Sequence, residues 1–374
     1  MGNTLNERFL EVVDRRGDAT AFMVKRDGAW RSFSFNWALE QVQRTAFGLR
    51  ALGCERGARV GVLSENRPEW ATTDYGAMAA GSMVVPLYTT LIPSQVEYIL
   101  NDAETRVVCV STMDHLETVL SIRDRLPSVK KVVVFYPDDL DEDEYVISLD
   151  TLKSMGDGHT RDEFEAMARD ARPEEPATFV YTSGTTGDPK GVVLTHDGFM
   201  AEYEAIEPCI EGEEGDLTIS FLPLSHILQR VVDGFSLLYG IAIAYAESLD
   251  AHGENLREVR PNHITAVPRV YEKIYARIHE GVAKGSPLKR ALFTWALGIG
   301  RRYRDAEARG SVTVSLATEH AVADRLVFRK LRAASGGRVC TFLSTGAPLA
   351  RVLGVFFHAV GIRILEVWGM TELT

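Results

Sequence analysis

Apolar residues in the first third of the chain follow two patterns, helical spacing and short continuous runs. Between Leu39 and Leu52 they recur at three- and four-residue steps and stop before Gly53, which predicts an amphipathic helix closed by a glycine. The run 59–64 predicts a buried strand, and Asn66 and Pro68 predict the N-cap and first turn of the next helix. Further strands are predicted at 83–87, 107–110 and 131–135, with a helix around 94–102. This alternation is typical of a parallel sheet covered by helices on both faces.

The acidic and small polar segment 137–176 interrupts the alternation and predicts a linker. Beyond it the pattern of strands and helices resumes. The predicted strands lie near 178–182, 192–195, 218–222, 241–244, 264–267, 340–344 and 364–367. We therefore expect an α/β fold with a first subdomain at 1–172, whose end overlaps the linker, and a second subdomain at 173–374.

Composition and charge narrow the class of protein. The 374 residues are 45% hydrophobic and 25% charged, as in an ordinary folded protein, and the net charge of −11 argues against nucleic-acid binding, which needs a basic face. The four cysteines stand far apart with no histidine at metal-ligand spacing, so buried reduced thiols are predicted. Residues 1–13 contain polar and charged residues and no apolar run of the kind found in a signal peptide, and the most apolar stretch, 235–246, is too short to span a bilayer. We expect a cytoplasmic protein that can make peripheral membrane contact.

The segment 183–191 reads SGTTGDPKG and directly follows a predicted strand. Glycines let the main chain bring its N–H groups close to a bulky anion, hydroxyls add short donors, and Lys190 supplies a positive charge for phosphate oxygens. The common phosphate loop GxxxxGK[ST] is excluded, because neither Gly184 nor Gly187 is followed by a glycine five positions later. By composition alone, the segment is also compatible with a flexible surface loop.

Over its whole length, the stretch 181–191 resembles the phosphate-loop signature of the AMP-forming adenylating enzymes, the superfamily of acyl-CoA synthetases, firefly luciferase and peptide-synthetase adenylation domains. The resemblance implies two mostly parallel, helix-covered sheets and a loop that binds the β- and γ-phosphates of ATP. The implied nucleotide contacts are Thr182, Ser183, Gly184, Thr185, Thr186, Gly187 and Lys190. Lys190 would also be catalytic, and Thr182 would bind Mg²⁺. The substrate carboxylate would attack the α-phosphorus in line, with the protein contributing positioning and charge stabilisation.

Two further segments resemble motifs of the same family. STGAPL at 344–349 resembles the adenine-contacting turn, although a Gly-Ala-Pro turn before a helix is also commonplace. WGMTE at 368–372 resembles the motif in which an aromatic residue stacks near the base; an ordinary strand end with a solvated carboxylate is the plainer alternative. The implied nucleotide contacts are Gly346, Ala347, Pro348, Trp368, Gly369, Met370 and Thr371. Thr371 and Glu372 would be catalytic, with Thr371 at the α-phosphate and Glu372 on Mg²⁺.

The segment 221–230, FLPLSHILQR, bears on the substrate. By resemblance it lines the boundary between the acyl pocket and the adenylate, with His226 as a pocket gate and Arg230 as a second substrate contact. A histidine at a helix start is also commonly structural. Relatives that activate amino acids carry an aspartate after the phenylalanine here, and this chain has Leu222-Pro223 instead, which disfavours an amino acid.

All four motifs follow predicted strands, and ligands of open parallel sheets bind at the carboxyl ends of the strands, so we expect one shared site. Two other segments, 64–70 and 267–273, resemble long-chain fatty acyl-CoA synthetases in particular. The resemblance therefore implies a long-chain fatty acid, ATP and coenzyme A as substrates, with Mg²⁺ as the metal.

Full-length relatives continue beyond the WGMTE motif with an aspartate that binds the ribose hydroxyls, a hinge and a small mobile C-terminal domain. This chain ends at Thr374. We expect it to be weakly active or inactive alone, because the family rotates that domain to pass from adenylation to thioester formation. A newly exposed strand edge or apolar surface would favour homo-oligomers. Two alternatives stay open: a fatty acyl-AMP ligase that loads a carrier protein, and a truncated, non-catalytic module that binds a nucleotide or an acyl chain.

Overall fold

Strands and helices alternate in the structure, a computed structural model that describes residues 3–137, 139–182, 188–210, 212–248, 250–333, 336–339 and 341–373. The strands are β1 (Thr20–Arg26), β2 (Ala29–Ser34), β3 (Arg59–Leu63), β4 (Met83–Leu87), β5 (Val107–Val110), β6 (Lys131–Val134), β7 (Val146–Ser148), β8 (Pro176–Thr182), β9 (Lys190–Thr195), β10 (Leu217–Ser220), β11 (Ala242–Tyr245), β12 (His263–Ala266), β13 (Thr341–Ser344) and β14 (Arg363–Glu366). The strands predicted from the sequence are confirmed, with ends that differ by at most two residues.

The α-helices that accompany these strands are α1 (Leu5–Arg16), α2 (Phe35–Ala51), α3 (Pro68–Ala79), α4 (Pro93–Asp102), α5 (Met113–Leu120), α6 (Leu149–Met155), α7 (Arg161–Ala168), α8 (His196–Ile206), α9 (Ile227–Leu238), α10 (His252–Val259), α11 (Pro268–Ala283), α12 (Pro287–Ala308), α13 (Val314–Ala323), α14 (Arg329–Ala333) and α15 (Arg351–Ala359). Short 3₁₀ turns lie at Arg123–Arg125, Glu207–Cys209 and Thr371–Leu373, and a π-helical turn lies at Asp324–Phe328. The predicted glycine closure of α2 is confirmed: the helix ends at Ala51 and Gly53 adopts a φ of 78°.

The chain divides into two units. Unit 1 comprises Met1–Cys209, Phe221–Tyr245 and Met370–Thr374, and unit 2 comprises Ile210–Ser220 and Ala246–Gly369. The subdomain boundary predicted between residues 172 and 173 lies within unit 1 and stays a prediction.

Unit 1 contains a seven-stranded sheet in the order β7-β6-β5-β3-β4-β8-β9. Neighbouring strands run parallel except β8 and β9, which form an antiparallel pair. Its central strands are rich in valine and are buried on both faces, as all four residues of β5 illustrate. Continuous apolar runs of this kind are expected when helices cover both faces of a parallel sheet. The prediction of mostly parallel, helix-covered sheets is confirmed.

Unit 1 also contains a hairpin that the hydrophobic pattern did not predict. Strands β1 and β2 pair antiparallel, and β1 pairs in parallel with β11. The two residues between β1 and β2, Asp27 and Gly28, have φ values of 52° and 75°. Two consecutive positive φ angles are the requirement of a type I′ turn, for which Asp-Gly is a preferred sequence.

The segment 137–176, predicted to be a linker, contains regular structure where the chain is described. Strand β7 and helices α6 and α7 lie within it. The Thr160 side chain accepts a hydrogen bond from the backbone N–H of Glu163, and the Glu163 carboxylate accepts one from the Thr160 N–H, which forms a capping box at the start of α7. Phe164 is buried, and it anchors this short helix in unit 1.

Unit 2 contains four parallel strands in the order β14-β13-β12-β10, together with helices α10 to α15. Strands β12 and β13 are fully buried, whereas β14 is only partly buried and forms the edge of this group. Within the described parts of the chain, none of the helices has the length and apolar character needed to cross a bilayer.

Candidate functional site

The predicted phosphate loop connects the two strands of the antiparallel hairpin β8–β9. Thr182, the last residue of β8, lies directly opposite Lys190, the first residue of β9. Directly opposed residues in an antiparallel pair have Cβ atoms about 5 Å apart, so the two side chains start side by side at the loop end of the hairpin. Lys190 is exposed and Thr182 is partly buried. Five predicted contacts, Ser183, Gly184, Thr185, Thr186 and Gly187, lie outside the described residues and stay predictions.

The hairpin is supported by an aromatic residue next to the predicted loop. The Tyr181 hydroxyl donates a hydrogen bond to Asp102 Oδ2 at 2.6 Å, and burial, followed by this hydrogen bond, raises the pKa of Tyr181. Across the hairpin, Gly191 pairs with Tyr181, and a Cβ added to Gly191 would lie 3.2 Å from the ring. A larger residue at position 191 would contact the Tyr181 ring too closely. Gly191 therefore allows β8 and β9 to pair closely next to the loop.

The last motif approaches the same hairpin. Within unit 1, the 3₁₀ turn Thr371–Leu373 lies against strand β9, which begins at Lys190. Glu372 is exposed and Thr371 is partly buried. The predicted catalytic residues Lys190, Thr371 and Glu372 therefore belong to neighbouring segments.

The oxygen donors available here fit a magnesium ion shared with a nucleotide. Among the described residues, no group of three or more His, Cys, Asp or Glu side chains could hold a metal on its own. Magnesium in nucleotide sites usually takes one or two protein oxygens, and phosphates and water complete its octahedron. The Thr182 hydroxyl and the Glu372 carboxylate are ligands of that chemical type, and their assignment to Mg²⁺ stays a prediction.

The loop that leads to His226 is held by Asn66. The Asn66 Nδ2 donates to the carbonyl of Leu222 at 2.6 Å, and its Oδ1 accepts from the backbone N–H of Leu224 at 2.9 Å. Both bonds flank Pro223, so the bend before α9 is fixed on either side. The sequence predicted Asn66 as the N-cap of α3; that prediction is wrong, because Arg67 is the cap residue and makes no side-chain cap bond.

His226 is the N-cap of α9. Its Nδ1 accepts a hydrogen bond from the backbone N–H of Leu228 at 3.2 Å, a position normally taken by a hydroxyl or carboxylate oxygen. Desolvation by the surrounding protein lowers the pKa of the His226 imidazole. Both observations favour the neutral ring, since a protonated Nδ1 could not accept the bond. The structural role is thus established, while the pocket-gating role stays a prediction.

Arg230 lies one turn further along α9 and is buried. Its Nε donates to Asp74 Oδ2 at 2.9 Å, Nη2 donates to the other carboxylate oxygen of Asp74, and Nη1 donates to the Thr178 hydroxyl. The guanidinium carbon lies 5.5 Å from the centre of the Trp70 ring and 5.6 Å from that of Phe199. Burial raises the pKa of Asp74, and the Arg230 charge opposes that effect.

The Arg230 ion pair borders a small, partly enclosed and mainly apolar cavity of about 30 Å³. Tyr75, Tyr203 and Asp233 also line it. The sequence predicted Arg230 as a substrate contact. In the structure its nitrogens are bonded to Asp74 and Thr178, and the substrate contact stays a prediction.

In unit 2, the predicted adenine turn follows β13. Gly346 has a φ of 81°, a left-handed conformation that glycine adopts without strain. The backbone N–H of Leu349 donates to Glu366 Oε1 at 2.7 Å, and that of Val367 donates to the Ser344 carbonyl at 2.8 Å. These bonds hold the turn that contains Ala347 and Pro348 beside the end of β14.

Trp368 directly follows this edge and is 81% exposed, and Gly346, Ala347 and Pro348 are exposed as well. An open aromatic surface next to small residues is compatible with a flat base. The boundary between the two units falls within the WGMTE motif. Trp368 and Gly369 belong to unit 2, whereas Met370, Thr371 and Glu372 belong to unit 1.

Comparison with known proteins supports the family that the four motifs indicate. The model of a family described as AMP-binding enzyme matches residues 9–374. This chain belongs to the AMP-binding enzyme family. The family predicted from the four motifs is therefore confirmed.

Relatives within the AMP-binding enzyme family include two long-chain-fatty-acid–CoA ligases. ACSBG2 of Xenopus laevis is 33% identical over 379 residues, which cover 99% of this chain and 51% of the relative. FadD15 of Mycobacterium bovis is 33% identical over 349 residues, which cover 92% of this chain and 57% of the relative. The chain thus spans about half the length of the curated relatives it matches.

Solved structures of AMP-binding enzymes share the fold. One is the A-PCP didomain of a carboxylic acid reductase from Segniliparus rugosus, determined in complex with AMP, which aligns with a TM-score of 0.76 at 20% sequence identity. The alignment covers 98% of this chain and 53% of the didomain chain. The N-terminal domain of FACL13 from Mycobacterium tuberculosis aligns with a TM-score of 0.68 at 19% sequence identity. That alignment covers 100% of this chain and 77% of the FACL13 chain. The predicted fold, an adenylate-forming N-terminal domain, is confirmed.

Proposed function

We propose that this chain binds ATP and a long-chain fatty acid for the adenylation step of a long-chain-fatty-acid–CoA ligase. The observation that carries the proposal is the loop end of the hairpin β8–β9, where Thr182 lies opposite Lys190 and the turn with Thr371 and Glu372 lies against β9. The names of the relatives support the substrate class, since both are named long-chain-fatty-acid–CoA ligases.

In the proposed reaction, a carboxylate oxygen of the fatty acid attacks the α-phosphorus of ATP. The bond from that phosphorus to the bridging oxygen breaks, pyrophosphate leaves, and acyl adenylate forms. The thiolate of coenzyme A then attacks the acyl carbon, and AMP leaves. Lys190 and the donors at 183–187 hold the departing phosphates, and Thr371 contacts the α-phosphate. Thr182 and Glu372 would hold Mg²⁺, which would supply positive charge to offset the charge that develops on the leaving group.

The base of the nucleotide is assigned to unit 2. The turn Gly346, Ala347 and Pro348 leaves room for a flat ring, and the exposed Trp368 offers an aromatic face for stacking. The positive φ of Gly346 supports the assignment, because it favours glycine, which adds no side chain to the face of the turn.

The acyl chain is assigned to the side of α9. His226 stands at the start of the helix with a neutral, exposed ring and takes the role of pocket gate. Arg230 acts on the substrate through α9, since its nitrogens are bonded to Asp74 and Thr178. A cytoplasmic location and self-association remain predictions that accompany this function.

The test is ATP–pyrophosphate exchange across fatty acids of increasing length, combined with ATP binding measured by calorimetry. Replacing Lys190 with Ala removes the charge that faces the departing phosphates, so exchange should fall on the order of 10²-fold with every acid. ATP binding should weaken with it. The control is Lys130→Ala, which removes another exposed lysine, located between α5 and β6.

The His226→Ala variant should mainly change which chain lengths are accepted. If Lys190→Ala leaves both exchange and ATP binding at the level of Lys130→Ala, the hairpin does not hold the phosphates and the proposal fails. If the Lys190 and His226 variants give the same profile, the division of roles is wrong. Measuring acyl-CoA against released acyl adenylate separates a CoA ligase from a ligase that loads a carrier protein.

A further inference from the structure

The segment 64–70 lies beside the start of α9, although the proposed reaction assigns it no role. It follows β3 at the carboxyl edge of the parallel strands in unit 1 and leads into α3. Asn66 bonds to the bend before α9, and the centre of the Trp70 ring lies 5.5 Å from the guanidinium carbon of Arg230. The segment therefore contacts α9 both before its start and one turn into the helix.

Three hydrogen bonds fix the bend before α9. The Asn66 side chain makes two of them, to the carbonyl of Leu222 and from the N–H of Leu224, on either side of Pro223. The third runs from the backbone N–H of His226 to the carbonyl of Pro223 at 3.0 Å and closes a four-residue turn. The two Asn66 bonds thus hold the entry to this turn, and the turn determines where α9 begins.

The position of the His226 side chain depends on this bend. His226 is exposed, so packing does not enclose its ring, and the hydrogen bond of the ring is with the N–H of Leu228 in the same helix. If Asn66 were lost, the N–H of the buried Leu224 would have no acceptor, which is unfavourable for a buried backbone group. The bend would rearrange to pair this N–H, and the His226 ring would move with the start of α9.

Asn66 is itself held in place by its neighbours. The Glu65 carboxylate accepts a hydrogen bond from the hydroxyl of Ser111 at 2.6 Å and one from Nη2 of Arg67 at 3.2 Å. Ser111 is fully buried and directly follows β5, the strand that pairs with β3. These bonds tie the residues on both sides of Asn66 to each other and to the end of β5. Asn66 therefore acts on the bend from a fixed support.

We propose that Asn66 is a positioning residue for the acyl chain: it sets the position of the His226 ring through the bend, and thereby the chain lengths that are accepted. The inference rests on the proposed function, which assigns the acyl chain to the side of α9. Asn66 acts on the backbone of the bend and not on the nucleotide, so its effect falls on chain-length preference. A side-chain amide suits this role because one planar group both donates and accepts, whereas a carboxylate only accepts.

The experiment compares ATP–pyrophosphate exchange with laurate and with palmitate in Asn66→Ala, His226→Ala and the double variant. Asn66→Ala should change the ratio of the two rates on the order of 10-fold, because two hydrogen bonds are lost and each contributes a factor of about 5 to an equilibrium. Since Asn66 acts through His226, the double variant should match His226→Ala, and the two effects should not add. ATP binding, measured by calorimetry, should stay at the level of the unchanged chain.

A second variant and a matched control accompany Asn66→Ala. Asn66→Asp keeps the acceptor for the N–H of Leu224 but loses the donor to Leu222, and it should change the ratio in the same direction even if the alanine variant does not fold. The control is Gln43→Ala in α2, which also removes a side-chain amide bonded to a distant backbone group, the carbonyl of His159 at 2.8 Å. This control should leave the ratio unchanged.

Hydrogen–deuterium exchange of a peptide that covers 221–230 reports on the bend without catalysis. It should be faster in Asn66→Ala than in Gln43→Ala. The inference is overturned if both Asn66 variants keep the ratio of the unchanged chain, or if the Asn66 and His226 effects add. Faster deuterium uptake with an unchanged ratio would indicate a purely structural role and would also overturn it.

Failure of the proposed function would look different. The unchanged chain would then show no pyrophosphate exchange with either acid. In that case the chain-length ratio is taken from the binding of laurate and palmitate, measured by calorimetry with the same variants. The same two criteria, a changed ratio and effects that do not add, then decide whether Asn66 positions the acyl chain.

Discussion

The buried ion pair between Arg230 and Asp74 provides the sharpest test of the packing in unit 1. Arg230→Met keeps the length of the side chain but removes the charge, and it leaves the Asp74 carboxylate buried without its two bonds. Thr178 loses a donor as well. Removing one partner of a buried ion pair costs about 3–5 kcal/mol, because the remaining charge has neither a partner nor water. We therefore expect Arg230→Met to lower the free energy of unfolding by an amount in this range.

The assay is urea unfolding at neutral pH, followed by circular dichroism, with a double-mutant cycle on the pair. Asp74→Leu should cost a similar amount, and the double variant Arg230→Met/Asp74→Leu should cost much less than the sum, since an apolar pair leaves no unpaired charge behind. The matched control is Arg125→Met, which breaks an exposed ion pair with Glu97 at 2.7 Å and should cost less than about 1 kcal/mol. An Arg230→Met cost as small as that of Arg125→Met, or strictly additive effects in the cycle, would refute the reasoning.

Three further predictions follow from single buried or strained positions. His196 is 3% exposed and burial lowers its pKa to about 4. The unfolded chain therefore binds a proton that the folded chain does not, and the free energy of unfolding should fall by about 3 kcal/mol as the pH drops from near 7 to 4. Urea titrations at several pH values should show this loss reduced in His196→Phe. Gly300→Ala should lower the free energy of unfolding by about 1–3 kcal/mol, because the added Cβ would lie 2.3 Å from the Ala359 carbonyl oxygen. The control Gly298→Ala in the same helix adds a Cβ that meets nothing within 4 Å, and it should be neutral or stabilising. Equal melting temperatures for these two variants would contradict the packing of α12. Gly346→Ala should cost about 1–2 kcal/mol from its φ of 81° and weaken ATP binding, which calorimetry at matched folded fractions can measure.

The central strands were predictable because each is a short valine-rich run buried on both faces. β3 and β5 are examples, and their observed ends differ from the predicted ones by at most one residue. Helices α6 and α7 were harder to predict from the sequence, because each has only seven or eight residues and few apolar positions in an acidic segment. The signal that could have located α7 is the capping box at Thr160 and Glu163. For the β1–β2 hairpin, the corresponding signal is Asp27-Gly28.

The candidate site was predictable where a motif is contiguous and was not where it depends on distant residues. Thr182 and Lys190 could be placed together because both flank one short loop, and the strand pairing sets them opposite each other. The residues that hold the start of α9 could not be found in this way. Asn66 bonds to Leu222 and Leu224, more than 150 residues away, and a local pattern identified it only as a helix cap.

Arg230 links two parts of unit 1 that the proposed function assigns to different substrates. It follows His226 by one helical turn on α9, and it bonds to Thr178, which precedes Thr182 by four residues on β8. One guanidinium group thus ties the helix assigned to the acyl chain to the strand that enters the phosphate loop, with Asp74 as counter-ion. A lysine could not replace it, since a single ammonium group cannot donate to both carboxylate oxygens and to the threonine in this planar arrangement. A defect of an Arg230 variant with either substrate would therefore follow from the loss of this connection, even if the side chain never contacts the fatty acid or the nucleotide.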